Sequence, residues 1–162
     1  MALTKLNARS GLTTGKILQV VSAENTQERS TTSTSFSEVV SVSITPSATS
    51  SKILIIASLS NCRRDSTNGF VQMRVTDGAS FNKKVSHATL YNDSTGALRL
   101  ASVSGNFLHS ANTTSAKTYT LQFCTGNGAQ VTVGDNGDTT SSITVMELAS
   151  ATITDDTVYR GT

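Results

Sequence analysis

Hydrophobic and polar residues alternate along much of the chain from residue 16 onward, in short runs separated by Gly and Asn. Successive side chains of a strand point to opposite faces, so this period predicts half-buried strands. The runs predict strands over 17–22, 36–45, 52–60, 70–76, 84–91, 98–104, 117–124, 129–133 and 142–149. Over 36–45, Phe36, Val40, Val42 and Ile44 are expected on one face, with Ser37, Ser41, Ser43 and Thr45 on the other. Pro46, which cannot donate a ladder hydrogen bond, is expected to close that strand. Val71, Met73 and Val75 share a face ahead of an Asp77-Gly78 turn, and Tyr119, Leu121 and Phe123 share another. Asn127-Gly128 predicts a hairpin into 129–133, and Asn136-Gly137 a further turn.

One run breaks the alternation. Ile53, Leu54, Ile55 and Ile56 are four consecutive aliphatics, so a strand made of them is apolar on both faces. Such a strand needs cover on each side: an opposing sheet on one, and on the other a neighbouring subunit. These four residues are therefore the candidate oligomer core.

About eight to nine short strands and no amphipathic helix predict an all-β chain. A jelly-roll β-sandwich, two packed antiparallel sheets of about four strands, suits that count. The expected organisation is an N-terminal arm or linker over 1–15, a jelly-roll domain over 16–149, and a tail or edge strand over 150–162.

Composition narrows the partners. Ser and Thr make up roughly three in ten of the 162 residues, and charged residues 15%, against an ordinary value of about 25%. The surface is thus wetted by hydroxyls more than by charges. A net charge of +2, with Arg63-Arg64 and Lys83-Lys84 as isolated basic pairs, gives no stripe for a polyanion, and no nucleic-acid partner is expected. No run is long and apolar enough to span a membrane, and the first residues lack the apolar region of a secretory signal, so no membrane partner and no general export are expected. Cys62 and Cys124, far apart and outside any C-x-x-C spacing, are expected as free thiols.

Candidate chemistry is sparse. Gly11-Leu12-Thr13-Thr14-Gly15-Lys16 has three residues between its glycines where a phosphate loop needs four, and Ile17 follows the lysine. Asp135-Asn136-Gly137-Asp138 offers oxygens to a hard cation, yet lacks the order and closing Glu of a calcium loop. No metal and no cofactor are expected. His87 and His109, the two histidines, accompany no G-x-S-x-G elbow. Glu24, Glu28, Glu38 and Glu147 are few, so no catalytic residue is assigned and no enzyme is expected. Loops at the end of a rigid sandwich are the usual place for binding. Arg63, Arg64 and Asn68 in one loop, and Tyr91 and Asn92 in another, are the candidate binding residues. Aromatics beside amides there suit saccharide or protein contact.

Three segments carry a resemblance. GKILQVVS, ITPSATSSKILIIASLS and SSITVMELA, in order within about residues 15–149, resemble short β-rich virion proteins of tailed bacteriophages, particularly marine and cyanobacterial phages. Such proteins are similar in plan to the C1q/TNF-type jelly roll, which assembles as a tight trimer. The resemblance implies a non-enzymatic structural protein of the virion, assembled in the host cytoplasm. As a homotrimeric fibre or spike head it would join other virion proteins through residues 1–15. It would contact a saccharide or protein of the host cell surface. The other place it implies is a capsid decoration trimer that stabilises the phage head. Residues 1–15 carry no collagen-like or coiled-coil pattern, so, within the resemblance, a short spike, knob or cement trimer is expected in preference to a long fibre. The motifs are strand sequences, so no residue-level site is carried over.

Overall fold

The computed structural model describes residues 16–64, 69–85, 98–99, 102–134 and 139–150. Within them lie twelve strands: β1 (Ile17–Asn25), β2 (Arg29–Thr31), β3 (Ser37–Ile44), β4 (Lys52–Leu59), β5 (Arg63–Arg64), β6 (Val71–Thr76), β7 (Asn82–Val85), β8 (Leu98–Arg99), β9 (Val103–Ser110), β10 (Lys117–Thr125), β11 (Val131–Val133) and β12 (Ser141–Leu148).

Eight of these build two four-stranded antiparallel sheets. The first has the order β1-β12-β4-β9 and the second β3-β10-β6-β7. The chain passes from one sheet to the other at nearly every connection, and its first and last strands pair. This is jelly-roll connectivity, and the molecule is a β-sandwich. β3 and β10 lie against β12, and β7 lies against β9. Inward residues of both sheets interdigitate in one core that includes Ile53, Ile55, Ala57, Leu59, Met73, Tyr119, Phe123, Ile143 and Val145.

The remaining strands form a small sheet, β2-β11-β5-β8. Each sits in a connection between the two main sheets, next to the ends marked by the pairs Asn25↔Ser141 and Leu59↔Val103. At the opposite end, the Ala149 amide donates to the Lys16 carbonyl at 2.8 Å. Lys16 and Ala149, the ends of the described domain, therefore lie away from the small sheet.

The alternation holds where expected in β6 and β10: Val71, Met73, Val75, Tyr119, Leu121 and Phe123 are all buried. Over 36–45 it shifts. Leu121 pairs with Val40 and Gln122 with Glu38, so Val39 is the extra residue of a β-bulge. A bulge adds one residue and moves the phase by one. Val39 is accordingly buried, whereas Val40 is half-buried and Phe36 lies over the outward side.

Two further expectations are corrected. Gly128 does turn the chain, with φ 82° and Ala129 N bonded to Asn127 Oδ1, but β11 then pairs with β2 and β5, not with β10. No hairpin forms, because the chain crosses to the small sheet. The single strand expected over 98–104 is two, β8 and β9, and β9 runs on to Ser110. Gly105 disguises β9 in the sequence. A Cβ there would lie 2.7 Å from the Phe107 ring and 2.9 Å from Val85, so the close approach of β7 and β9 leaves no room for one.

Candidate interaction surfaces

The outward face of the first sheet is set by its register. Val20 pairs with Met146, Met146 with Leu54, and Leu54 with Leu108. Four apolar residues thus form one row across all four strands. Ile56 extends the row along β4, and Leu18 adjoins it on β1. Val20 is 54% exposed, Leu108 58% and Ile56 40%. The rim is mixed: on one side Lys52 donates to Ser110 Oγ while Ile17 and Leu148 continue the apolar surface, and on the other Ser22 and Thr144 share a hydrogen bond. Apolar rows with polar groups at the rim are the usual anatomy of a protein interface.

Ile53 and Ile55 point the other way and are wholly buried in the domain's own core. Of the four residues expected in an oligomer core, the outward pair is Leu54 and Ile56. The covering of both strand faces divides between them.

The second sheet turns a different surface outward. Ser43 and Thr118 share a hydrogen bond there, and Ser41, Thr120 and Thr76 follow in the next row. Beyond them the register aligns Glu38, Gln122, Arg74 and Lys84. Arg74 Nε donates to Gln122 Oε1 at 2.7 Å, and its guanidinium lies 4.2 Å from the Phe36 ring centroid. Lys84 Nζ lies 5.2 Å from the same centroid.

The loop expected to carry Arg63 and Arg64 is instead strand β5, paired with β11 and β8. Pairing in the small sheet draws Arg64 inside, to 1% exposure, and leaves Arg63 half-buried. Arg64 is therefore a buried residue, not an exposed loop contact. Asn68, Tyr91 and Asn92 lie outside the described residues, as do His87 and the Asp135–Asp138 segment. Beside β2, Ser30, Thr31, Thr32 and Gln130 line an open groove of about 370 Å³.

Two of the ionisable groups named from the sequence without a role are held by specific contacts: Glu147, which is buried, and His109, which is half-buried. Glu147 follows Ile143 and Val145 on the inward face of β12 and is wholly buried. Its Oε1 accepts from Ser47 N (2.8 Å), Ser47 Oγ (2.7 Å) and Ser51 Oγ (2.6 Å), and its Oε2 from Gln19 Nε2 (2.6 Å). Burial by itself would raise its pKa; the hydrogen bonds outweigh burial and hold it at about 2. These contacts fasten the Pro46–Ser51 loop across the end of the sandwich. The signal in the sequence was an acid in phase with core aliphatics.

His109, on β9, bonds through Nδ1 to the Tyr119 hydroxyl at 2.8 Å and stacks on Phe81, with centroids 4.6 Å apart. Burial, then the nearby Lys117, lowers its pKa, while burial and then Asp77 raise that of Tyr119. Asp77 itself accepts from the amides of Ala79 and Phe81 and pairs with Lys117 at 3.1 Å. The cluster braces the β6–β7 turn against β9 and β10.

Cys62 and Cys124 are both free and buried, and burial pushes the Cys62 thiol up to about 12. Among the described residues no three His, Cys, Asp or Glu side chains gather as a metal site. No protein-family model matches the chain, and no curated protein matches it in sequence.

Proposed function

We propose that this chain is a non-enzymatic structural protein of a tailed-phage virion. It assembles as a homotrimer through the outward face of the first sheet, and the trimer forms a fibre or spike head that contacts the host surface. The observation that carries the assembly is the apolar row Val20–Met146–Leu54–Leu108. Leaving it in water costs about 25 cal/mol for each Å² of apolar surface that a second copy would cover. The virion assignment rests on the resemblance of the strand segments named above. The polarity of the domain agrees with it. Lys16, where the described residues begin, lies at one end, and the small sheet with Arg63 occupies the other.

Light scattering on the purified protein at micromolar concentration tests the assembly, with a mass of about three chains expected. A stable monomer would overturn it. An electron-microscopy map of the virion then separates the spike head from a capsid position.

A further inference from the structure

We propose that the outward face of the second sheet carries an anion site, centred on Arg74 and Lys84, for the carboxylate of an acidic saccharide. Arg74 and Lys84 stand directly opposite each other in the β6–β7 ladder. Like charges at opposed positions destabilise a sheet unless something offsets them. Neither forms an ion pair with a described acidic residue. Glu38 shares their row, but Gln122 stands between it and Arg74.

Arg74 is also oriented in advance. The Phe36 ring supports the guanidinium at 4.2 Å, and Gln122 engages Nε. Together these contacts hold its plane while engaging only one of its three nitrogens. A fork of two parallel N–H groups matches a planar carboxylate, and less of its freedom is lost on binding when it is already held. Lys84 adds a second cation on the same ring.

The surroundings favour a sugar over an acidic peptide. Gln72, Thr76, Thr120 and Ser41 share this face, and Asn82 is opposite Thr76. They supply hydroxyls and amides suited to sugar hydroxyls, where a peptide strand would want apolar pockets. The apolar row lies on the other sheet, so self-association leaves this face open. The inference deepens the proposed host contact by naming its ligand class. It is measured on the purified protein, so its failure is distinct from failure of the trimer.

Calorimetric titration with an oligogalacturonate, at low and at physiological salt, is the test. Its methyl ester, an oligoglutamate of matched charge and inorganic phosphate are the comparison probes. The oligogalacturonate is expected to bind, with the ester at least about tenfold weaker. Arg74→Gln and Phe36→Leu should each weaken binding about tenfold, the second without changing charge. Arg74→Lys keeps the charge and loses the fork, so it should weaken binding too; with Lys84→Gln it carries the test should Arg74→Gln not fold. Lys16→Gln, at the end of β1, should bind like the parent. The site is overturned if the oligogalacturonate does not bind. It is equally overturned if the folded Arg74 and Phe36 variants bind normally, or if Lys16→Gln weakens binding as much as they do. Equal affinity for the oligoglutamate would assign an acidic peptide instead, and equal affinity for phosphate a phosphate group; either result overturns the saccharide.

Discussion

Ser51 donates its hydroxyl to the Glu147 carboxylate at 2.6 Å, and both residues are shut away from solvent. The two belong to different elements: Ser51 ends the loop after Pro46, and Glu147 lies near the end of β12. With Ser47 and Gln19 they form a network in which a buried charge on β12 is satisfied by donors from two other segments, the loop after Pro46 and β1.

That network predicts an acid limb of stability. Against burial, the donors lower the Glu147 pKa from 4.5 to about 2. A carboxylate held low stabilises the fold above its ordinary pKa and loses that contribution as pH falls through the folded value. Between pH 4.5 and about 2 the loss amounts to about 3 kcal/mol. Glu147→Gln should remove this part of the acid limb. It should also cost on the order of 3 kcal/mol at neutral pH, since the charge is lost and an amide oxygen kept toward Ser47 and Ser51 turns its nitrogen against Gln19 Nε2. Urea unfolding of both proteins across this pH range checks it. Identical slopes would show that Glu147 is not the source.

His109 predicts a second, separate dependence. Its folded pKa lies below 6.5, first because of burial and then because of Lys117, with Lys83 adding and Asp77 opposing. Protonation therefore favours the unfolded chain, and stability is lost as pH falls below 6.5 toward the folded value. His109→Gln should flatten that window. Tyr119→Phe should cost about 1 kcal/mol, by removing the hydroxyl bonded to Nδ1. Following the imidazole proton by NMR should give a midpoint below that of a histidine peptide; a midpoint above it would contradict the half-buried geometry beside Lys117.

Leu108 separates folding from assembly. It is 58% exposed on the edge strand β9, so Leu108→Lys should change the stability of a lone domain by no more than about 0.5 kcal/mol. In an assembly that buries the row it should produce monomers. The melting temperature of the parent should rise with protein concentration, while that of the variant should not. Equal behaviour of the two proteins would remove this face from the interface.

Gly126 is predicted to tolerate no side chain. A Cβ there would fall within the Phe70 ring, whose carbonyl accepts from the Gly126 amide at 3.1 Å. Gly126→Ala should therefore destabilise the fold by about 1–3 kcal/mol, through displacement of that ring. Thermal unfolding measures it, and an unchanged midpoint would refute the packing.

Much of the sandwich was legible because strand periodicity is local. Val71–Val75 and Tyr119–Phe123 declare their buried faces in the order of their own residues. Val39 could not, since a bulge exists only relative to β10 and one extra residue reverses the phase. β9 was obscured by Gly105, whose lack of a side chain answers to Val85 and Phe107 from the fold. The two-residue strands carry too few positions for any period.

The candidate surfaces were legible in part. Four aliphatics at 53–56 announced a strand apolar on both faces, and composition announced a hydroxyl-rich surface. Both follow from side-chain chemistry alone. Which aliphatics face outward, and that Val20, Met146 and Leu108 join Leu54, depends on the pairing of four strands drawn from both ends of the chain. Likewise Arg74 meets Phe36, Gln122 and Lys84, and Glu147 meets Ser47, only through long-range register. Period and composition belong to neighbours in sequence. The rows and buried networks belong to the ladder hydrogen bonds that bring distant segments together, and those only the tertiary structure decided.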